Sequence, residues 1–307
     1  CNSIISKNYL RFLVDNNVIY LKIIIMKTKL ISMFLIVAIL FSTSGCSNVS
    51  DDNVYQGEMK TEALKNLKND LLVLNSNYEN NPELQTRFKF KNWFRCLVIA
   101  VADVAGTVFG NLDTGIILSE KSNGLLDKIE GSLSKAPSSP LKSNALDGIE
   151  VGSAGYIHNK VLIDMYEKYG ESMDTLTTEQ LLDLASNEVY NLTGEASLPL
   201  SKSDAVLLVD NVVGKMDLTK SISENIESLK TLTIDPELQS KLDICGTFIE
   251  GLQMVDDNDS TYFESANELI INSDLPTADK LELQDALSVG YASAKLWNTE
   301  VLEDYAE

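Results

Sequence analysis

Residues 96–112, CLVIAVADVAGTVFGNL, are the stretch of this 307-residue chain that decides the fold. They carry one charged side chain, Asp103, among seventeen residues. A membrane-spanning helix needs about 20 apolar residues, and this stretch is shorter and is interrupted by Asp103 and two glycines. A helix that is apolar on every side is buried in a protein core. The stretch therefore predicts a central buried helix.

Helical spacing of apolar residues continues outside this stretch, with almost no strict alternation of apolar and polar residues. One such series is Leu64, Leu67, Leu71 and Leu74. Helix starts are marked by prolines that follow capping residues and by capping-box pairs. These starts are Asn81-Pro82-Glu83, Thr177 with Gln180, Asp235-Pro236-Glu237, Thr261 with Glu264, and Pro276-Thr277 before a last helix towards Tyr305. The sequence predicts an all-α fold, a multi-helix bundle of about eight to ten helices.

Residues 131–143, GSLSKAPSSPLKS, interrupt the helical pattern. Their Gly, Ser and Pro content is typical of a loop or linker. Such a segment either separates a small N-terminal domain from a larger one or forms a long loop within one domain. We favour a single all-α domain over residues 58–307, because the apolar helix before the loop needs partners that bury it.

The N-terminal part of the chain has the pattern of a targeting segment rather than of a folded element. The sequence starts with Cys1, so we expect residues 1–25 to be an upstream extension and Met26 to be the initiator. Two lysines, the apolar stretch 30–41 and small residues then lead to Cys46. This order predicts a signal peptide over residues 26–45. Twelve apolar residues give a helix of about 18 Å, too short for the alternative of a membrane span.

The end of this segment, Ser44-Gly45-Cys46, resembles the lipobox of bacterial lipoproteins, although Thr43 stands where that family usually has an aliphatic residue. The resemblance implies cleavage before Cys46 and attachment of lipid to it, which gives a membrane anchor. The acidic pair Asp51-Asp52 resembles the lipoprotein export signal of Bacteroidota and implies display on the outer face of the outer membrane. Residues 46–57 are polar and are predicted to be the tether.

The charge balance excludes several classes of function. The chain has 45 acidic and 25 basic side chains, a net charge of −20, and cleavage before Cys46 would remove a net charge of +4 and leave −24. Nucleic-acid binding is excluded because it needs a basic face. A single histidine excludes sites with several histidine ligands, and no cofactor motif is present. Cys96 and Cys245 are compatible with one disulfide or with two buried thiols.

Three stretches are rich in small residues: 100–110, 148–155 and 286–294. Glycine inside a helix costs about 0.5–1 kcal/mol relative to alanine, so it needs a compensating reason. Close approach of packed helices is the simplest reason, and it predicts that three helices cross at the centre of the fold. The alternative is that some of these glycines end helices, as Gly110 and Gly148 would.

The candidate catalytic residues are His158, Asn159 and Asp103. The GYIHNKVL segment at 155–162 resembles a G-x-x-H-N-x-x-L motif of uncharacterised secreted proteins of Bacteroidota, a resemblance that implies no activity. Helical spacing places His158 at the edge of the core. One interpretation is that His158 and Asn159 make hydrogen bonds between buried helices. The other is a cleft in which Asp103 orients His158 for catalysis, with Cys96 as a conceivable nucleophile.

A weak candidate metal site lies further along the chain. Residues 256–259, DDND, resemble the opening of a calcium loop, in which Asp257, Asp259 and Glu268 would be ligands. Tyr262 stands where such a loop requires glycine. We therefore predict a solvated turn that precedes a helix from Thr261.

These observations predict a lipoprotein at the cell surface that acts as a non-enzymatic binding or structural module with a protein or glycan partner. No G-x-S-x-G, phosphate-binding or zinc-protease motif is present in the sequence. The alternatives are a hydrolase-like enzyme centred on His158, Asn159 and Asp103, and an immunity-type protein. A concave pocket around His158 would favour the enzyme.

Overall fold

A computed structural model describes residues 51–80, 93–130, 145–195, 200–255 and 260–298 of the chain. These residues form ten α-helices and one 3-10 helix, with no β-strand among them. The predicted all-α, multi-helix fold is confirmed. The chain divides into two compact units, Cys1–Glu58 and Met59–Glu307. No helix in the described ranges is long and apolar enough to cross a membrane.

The helices follow one another with short connections wherever the chain is described. They are α1 (Asp51–Asn80), α2 (Trp93–Phe109), α3 (Leu112–Glu130), α4 (Ala154–Tyr169), the 3-10 helix η1 (Gly170–Thr175), α5 (Thr178–Thr193), α6 (Lys202–Val213), α7 (Ile222–Lys230), α8 (Pro236–Leu252), α9 (Thr261–Asn272) and α10 (Thr277–Trp297). Helix α1 begins at Asp51, so the last part of the segment predicted to be a tether is helical. Residues 131–143 lie outside the described residues.

Helix α2 is the central buried helix that the sequence predicts. All its residues from Cys96 to Gly106 are buried, including the charged Asp103. Helix α10 packs against both α2 and α4, and α3 and α8 cover other parts of α2. The two longest small-residue stretches therefore meet, because one lies on α2 and the other on α10.

Glycine allows the close approach of these helices. A Cβ atom on Gly155 of α4 would lie 2.3 Å from the backbone oxygen of Ser288 on α10. A Cβ atom on Gly290 of α10 would lie 2.9 Å from Cγ2 of Val104 on α2. Both distances are shorter than packed side chains tolerate. The predicted close approach is confirmed for α10 with α2 and for α10 with α4.

The prediction that the stretch 148–155 is helical is wrong for most of its length. Gly148 and Gly152 have φ values of 71° and 90° and lie in turns before α4, and only Ala154 and Gly155 belong to the helix. Backbone with positive φ suits glycine and opposes a right-handed helix. The small residues of this stretch therefore form turns. This agrees with the alternative that Gly148 does not lie inside a packed helix. Gly110 follows the last residue of α2, so it also lies at a helix end.

Three of the predicted helix starts are confirmed, one of them being the start of α10 at Thr277 directly after Pro276. The Asp235 carboxylate accepts a hydrogen bond from the Glu237 amide with Pro236 in the first turn of α8, and Thr177 with Gln180 forms a capping box at α5. The predicted box of Thr261 with Glu264 is wrong. Ser260 takes the capping position, and its hydroxyl donates to the Glu264 carboxylate. Residues 81–83 and Tyr305 lie outside the described residues.

The two cysteines of the described helices lie on α2 and α8. Cys96 and Cys245 are both buried, and neither forms a disulfide within the described residues. Desolvation raises the pKa of Cys245, which keeps this thiol protonated. These cysteines therefore pack as small apolar side chains.

An ion-pair cluster fixes α8 to α10 and α1. The ammonium of Lys241 is 3% exposed and lies within 2.9 Å of carboxylates of Glu237 and Asp279 and within 2.7 Å of Glu282. Lys60 on α1 contacts Glu237 and Asp279 as well. Although desolvation opposes it, hydrogen bonds from the two lysines lower the pKa of Asp279. Each nearly buried charge thus has a partner, as a stable interior requires.

Candidate functional site

The three candidate catalytic residues come together in the structure. Asp103 on α2 faces His158 on α4, with Nε2 of the imidazole 3.4 Å from Oδ2 of the carboxyl group. Nδ1 of His158 lies 2.9 Å from Oδ1 of Asn159. All three side chains have no exposed surface. His158 is therefore at the centre of the core and not, as its helix face predicted, at the edge.

The Asn159 amide fixes the protonation of the imidazole. Its Nδ2 donates to the carbonyl oxygens of Ala145 and Ala292, both at 2.9 Å. Oδ1 of Asn159 is therefore an acceptor, and Nδ1 of His158 must carry the hydrogen between them. Nε2 is left facing Asp103. Asn159 thus ties α4 to α10 and to the turn before α4.

Two further side chains complete this network. The Ser119 hydroxyl on α3 donates to Oδ2 of Asp103 at 2.7 Å, and the indole Nε1 of Trp297 on α10 donates to the Ser119 oxygen at 2.8 Å. We call Asp103, Ser119, His158, Asn159 and Trp297 the polar network. It joins four helices, α2, α3, α4 and α10.

Sequence reasoning missed Ser119 and Trp297. A signal for Ser119 does exist, because α2 and α3 form a hairpin whose turn contains Asn111. Asp103 and Ser119 lie eight residues before and after Asn111, so a symmetric hairpin brings them opposite each other. Gly115 supports that approach, since a Cβ atom there would lie 2.9 Å from the Asp103 carbonyl oxygen. Trp297 lies in the last turn of α10, and no motif marks it.

Asp103 is the acidic group of the polar network. Desolvation raises the pKa of Asp103, while the nearby His158, Ser293 and Ser119 side chains oppose that shift. Burial favours an arrangement without net charge. Within the described residues, Oδ1 of Asp103, Nε2 of His158 and the Ser293 hydroxyl have no hydrogen-bond partner of normal geometry.

This closed geometry offers no surface to a substrate. The two cavities described on the molecule, of about 400 Å³ and about 210 Å³, are lined by other residues. General acid–base catalysis needs a group within hydrogen-bond reach of the reacting atoms. Asp103 and His158 instead contact each other and polar groups of the neighbouring helices. What the network can do chemically is hold α2, α3, α4 and α10 in register.

The candidate calcium ligands are not brought together by the described residues. Asp257 and Asp259 lie outside the described residues, and Glu268 is exposed on α9. Within the described ranges, no three His, Cys, Asp or Glu side chains are grouped so that they could hold a metal ion. The candidate lipidation residue, Cys46, also lies outside the described residues.

Comparison with known proteins leaves the site without a precedent. The chain matches no protein-family model, no curated protein and no solved structure. Function must therefore be argued from the residues of this chain alone.

Replacing Asp103 by asparagine should change how stability depends on pH. The folded-state pKa of Asp103 is raised above 3.8, so the stability that its protonation contributes is fully present below that value and is lost as the pH rises through the folded-state pKa. Asp103→Asn cannot ionise, so its stability relative to the parent protein should increase as the pH rises from 3.8 through the folded-state pKa of Asp103. Denaturant unfolding of both proteins across this range measures the difference. Parallel pH profiles would contradict the raised pKa.

Proposed function

We propose that this protein is a lipid-anchored bacterial surface protein that acts as a non-enzymatic binding or structural module. Its anchor would be the lipid on Cys46, after removal of residues 26–45, and Asp51-Asp52 would direct it to the outer face of the outer membrane. Two acyl chains hold a protein on a membrane stably, whereas one does not. The acidic chain would then meet neutral or basic partners outside the cell.

The complete burial of Asp103, His158 and Asn159 carries the non-enzymatic part of the proposal. These are the residues with the strongest claim to catalysis in the sequence, and each is committed to contacts between helices. A catalytic group must touch its substrate, and these groups are closed to one. The helical domain instead provides a rigid scaffold whose outer face is free to bind.

Replacing Cys46 should abolish lipid attachment. Cells that take up an alkyne fatty acid should label the parent protein, and Cys46→Ser should carry no label, because that thiol is the proposed attachment atom. Cys96→Ala is the matched control: its thiol is buried, so this variant should be labelled like the parent. Label that persists on Cys46→Ser would refute the anchor.

The surface location is tested separately from the anchor. Protease added to intact cells should degrade the parent protein without lysis. The variant Asp51→Asn with Asp52→Asn should still be labelled by the fatty acid but should become resistant to external protease, because the export signal is lost. Protection of the parent protein in intact cells would contradict the proposed surface display.

A further inference from the structure

The smaller of the two cavities described above, of about 210 Å³, lies between the turn over residues 148–153 and helices α9 and α10. It is separate from the polar network, and no residue of that network lines it. Drug-sized ligands occupy pockets of about 300–1,000 Å³, so this cavity fits one small ring or a fragment of similar size. We call it the turn cavity.

One side of the turn cavity is apolar and partly aromatic. Phe263 of α9 and Tyr291 of α10 stack on each other, with ring centroids 4.8 Å apart and an interplanar angle of 8°. Ile149 of the turn and Leu281 of α10 also line it, and Leu281 is 57% exposed. Phe263 covers one face of the buried Tyr291 ring, and the Lys295 ammonium lies 5.4 Å from the centroid of that ring. A ligand with an apolar face would therefore pack mainly against Phe263, Ile149 and Leu281.

An amide pair supplies matched polar groups. Nε2 of Gln284 on α10 donates to Oδ1 of Asn267 on α9 at 2.8 Å, which fixes the orientation of both side chains. Nδ2 of Asn267 and Oε1 of Gln284 make no bond to a described residue, so they offer one donor group and one acceptor. The Ser288 oxygen accepts from the Gly155 amide at 3.1 Å, and its hydrogen is left as a second donor.

Two carboxyl groups complete the lining. Glu150 of the turn and Asp285 of α10 line the turn cavity, and neither forms an ion pair within the described residues. Desolvation and then the nearby Glu282 carboxylate raise the pKa of Asp285. Both groups can accept hydrogen bonds from hydroxyl groups of a ligand.

We propose that the turn cavity binds a single hydroxyl-rich sugar ring. This ligand class has an apolar ring face for the aromatic wall and hydroxyl groups that both donate and accept, which matches the amide pair, Ser288 and the carboxylates. An ammonium ligand would satisfy Glu150 and Asp285 but would leave the Asn267 amide donor unmatched. An anion would be repelled by the two carboxylates. The inference rests on the proposed function of a binding module and names its ligand class.

The test uses the full chain in mild detergent and the methyl glycosides of glucose, galactose, mannose and N-acetylglucosamine. Saturation-transfer NMR should detect binding of at least one of them, with a Kd of about 1 mM, as expected for a ligand of this size. Asn267→Leu should weaken that binding at least about tenfold, because it removes both the free donor and the partner of Gln284. Gln253→Leu, at the other cavity, is the matched control and should bind like the parent.

Three results would overturn the proposal. No binding of any of the four glycosides at about 20 mM would exclude a sugar ring, since a Kd of about 1 mM saturates at that concentration. Binding of the diamine putrescine in their place would assign the turn cavity to a cation. Unchanged glycoside affinity of Asn267→Leu, with its thermal unfolding like that of the parent, would place binding elsewhere. Fatty-acid labelling of Cys46 is independent of all three, so their failure would leave the anchor intact.

Discussion

Gly155→Ala should lower the free energy of unfolding by about 3 kcal/mol, although alanine favours a helix by about 0.5–1 kcal/mol over glycine. The added Cβ atom would lie 2.3 Å from the backbone oxygen of Ser288 and 2.7 Å from its hydroxyl. A backbone atom within a helix cannot rotate away as a side chain can. Helices α4 and α10 would have to separate, which would also stretch the Gly155–Ser288 hydrogen bond.

Gly124→Ala provides the matched control. Gly124 lies within α3, and a Cβ atom there meets no atom within 4 Å. This variant should gain about 0.5–1 kcal/mol from helix propensity alone. Chemical unfolding of the two variants and the parent protein measures the contrast. If Gly155→Ala gained stability like Gly124→Ala, the close contact of α4 with α10 would be refuted.

The pattern of apolar and capping residues within each individual helix predicts much of this fold. The apolar stretch 96–112 predicts a buried helix, because a helix without a polar face has to be covered on every side. A charged Asp103 inside it needs a partner, and His158 is the partner that the structure supplies. The capping pair Thr177 and Gln180 is equally local, since it satisfies amides of its own helix.

Features that depend on the contact between two helices are harder to predict from the sequence. His158 is predicted at the edge of the core because the pattern of α4 alone does not show that Gly155 admits α10 so closely. Ser119 has an ordinary helical setting until the hairpin of α2 and α3 places it opposite Asp103. The turns at Gly148 and Gly152 share their composition with packed small-residue helices, so only the backbone dihedral angles separate the two.

Asn159→Leu should destabilise the protein by about 4 kcal/mol and lower its Tm by about 10 °C. Leucine has the same branched side-chain skeleton as asparagine, but it is larger and has no polar atoms. The variant leaves two buried groups without their partner, Nδ1 of His158 and the carbonyl oxygen of Ala145. It also removes the hydrogen bond from Asn159 to the Ala292 carbonyl oxygen. Each unsatisfied buried group costs about 1–3 kcal/mol, and the whole domain has about 5–15 kcal/mol of stability.

Asn187→Leu is the control that separates burial from the substitution itself. Asn187 lies on α5 with an exposed side chain, so its replacement should change the free energy of unfolding by no more than about 0.5 kcal/mol. Thermal and denaturant unfolding of the parent and both variants decide the matter. A large loss for Asn159→Leu alone would establish that the polar network holds the helices together. Unchanged stability of Asn159→Leu would instead mean that Asn159 and His158 are kept for chemistry, and the non-enzymatic proposal would fall.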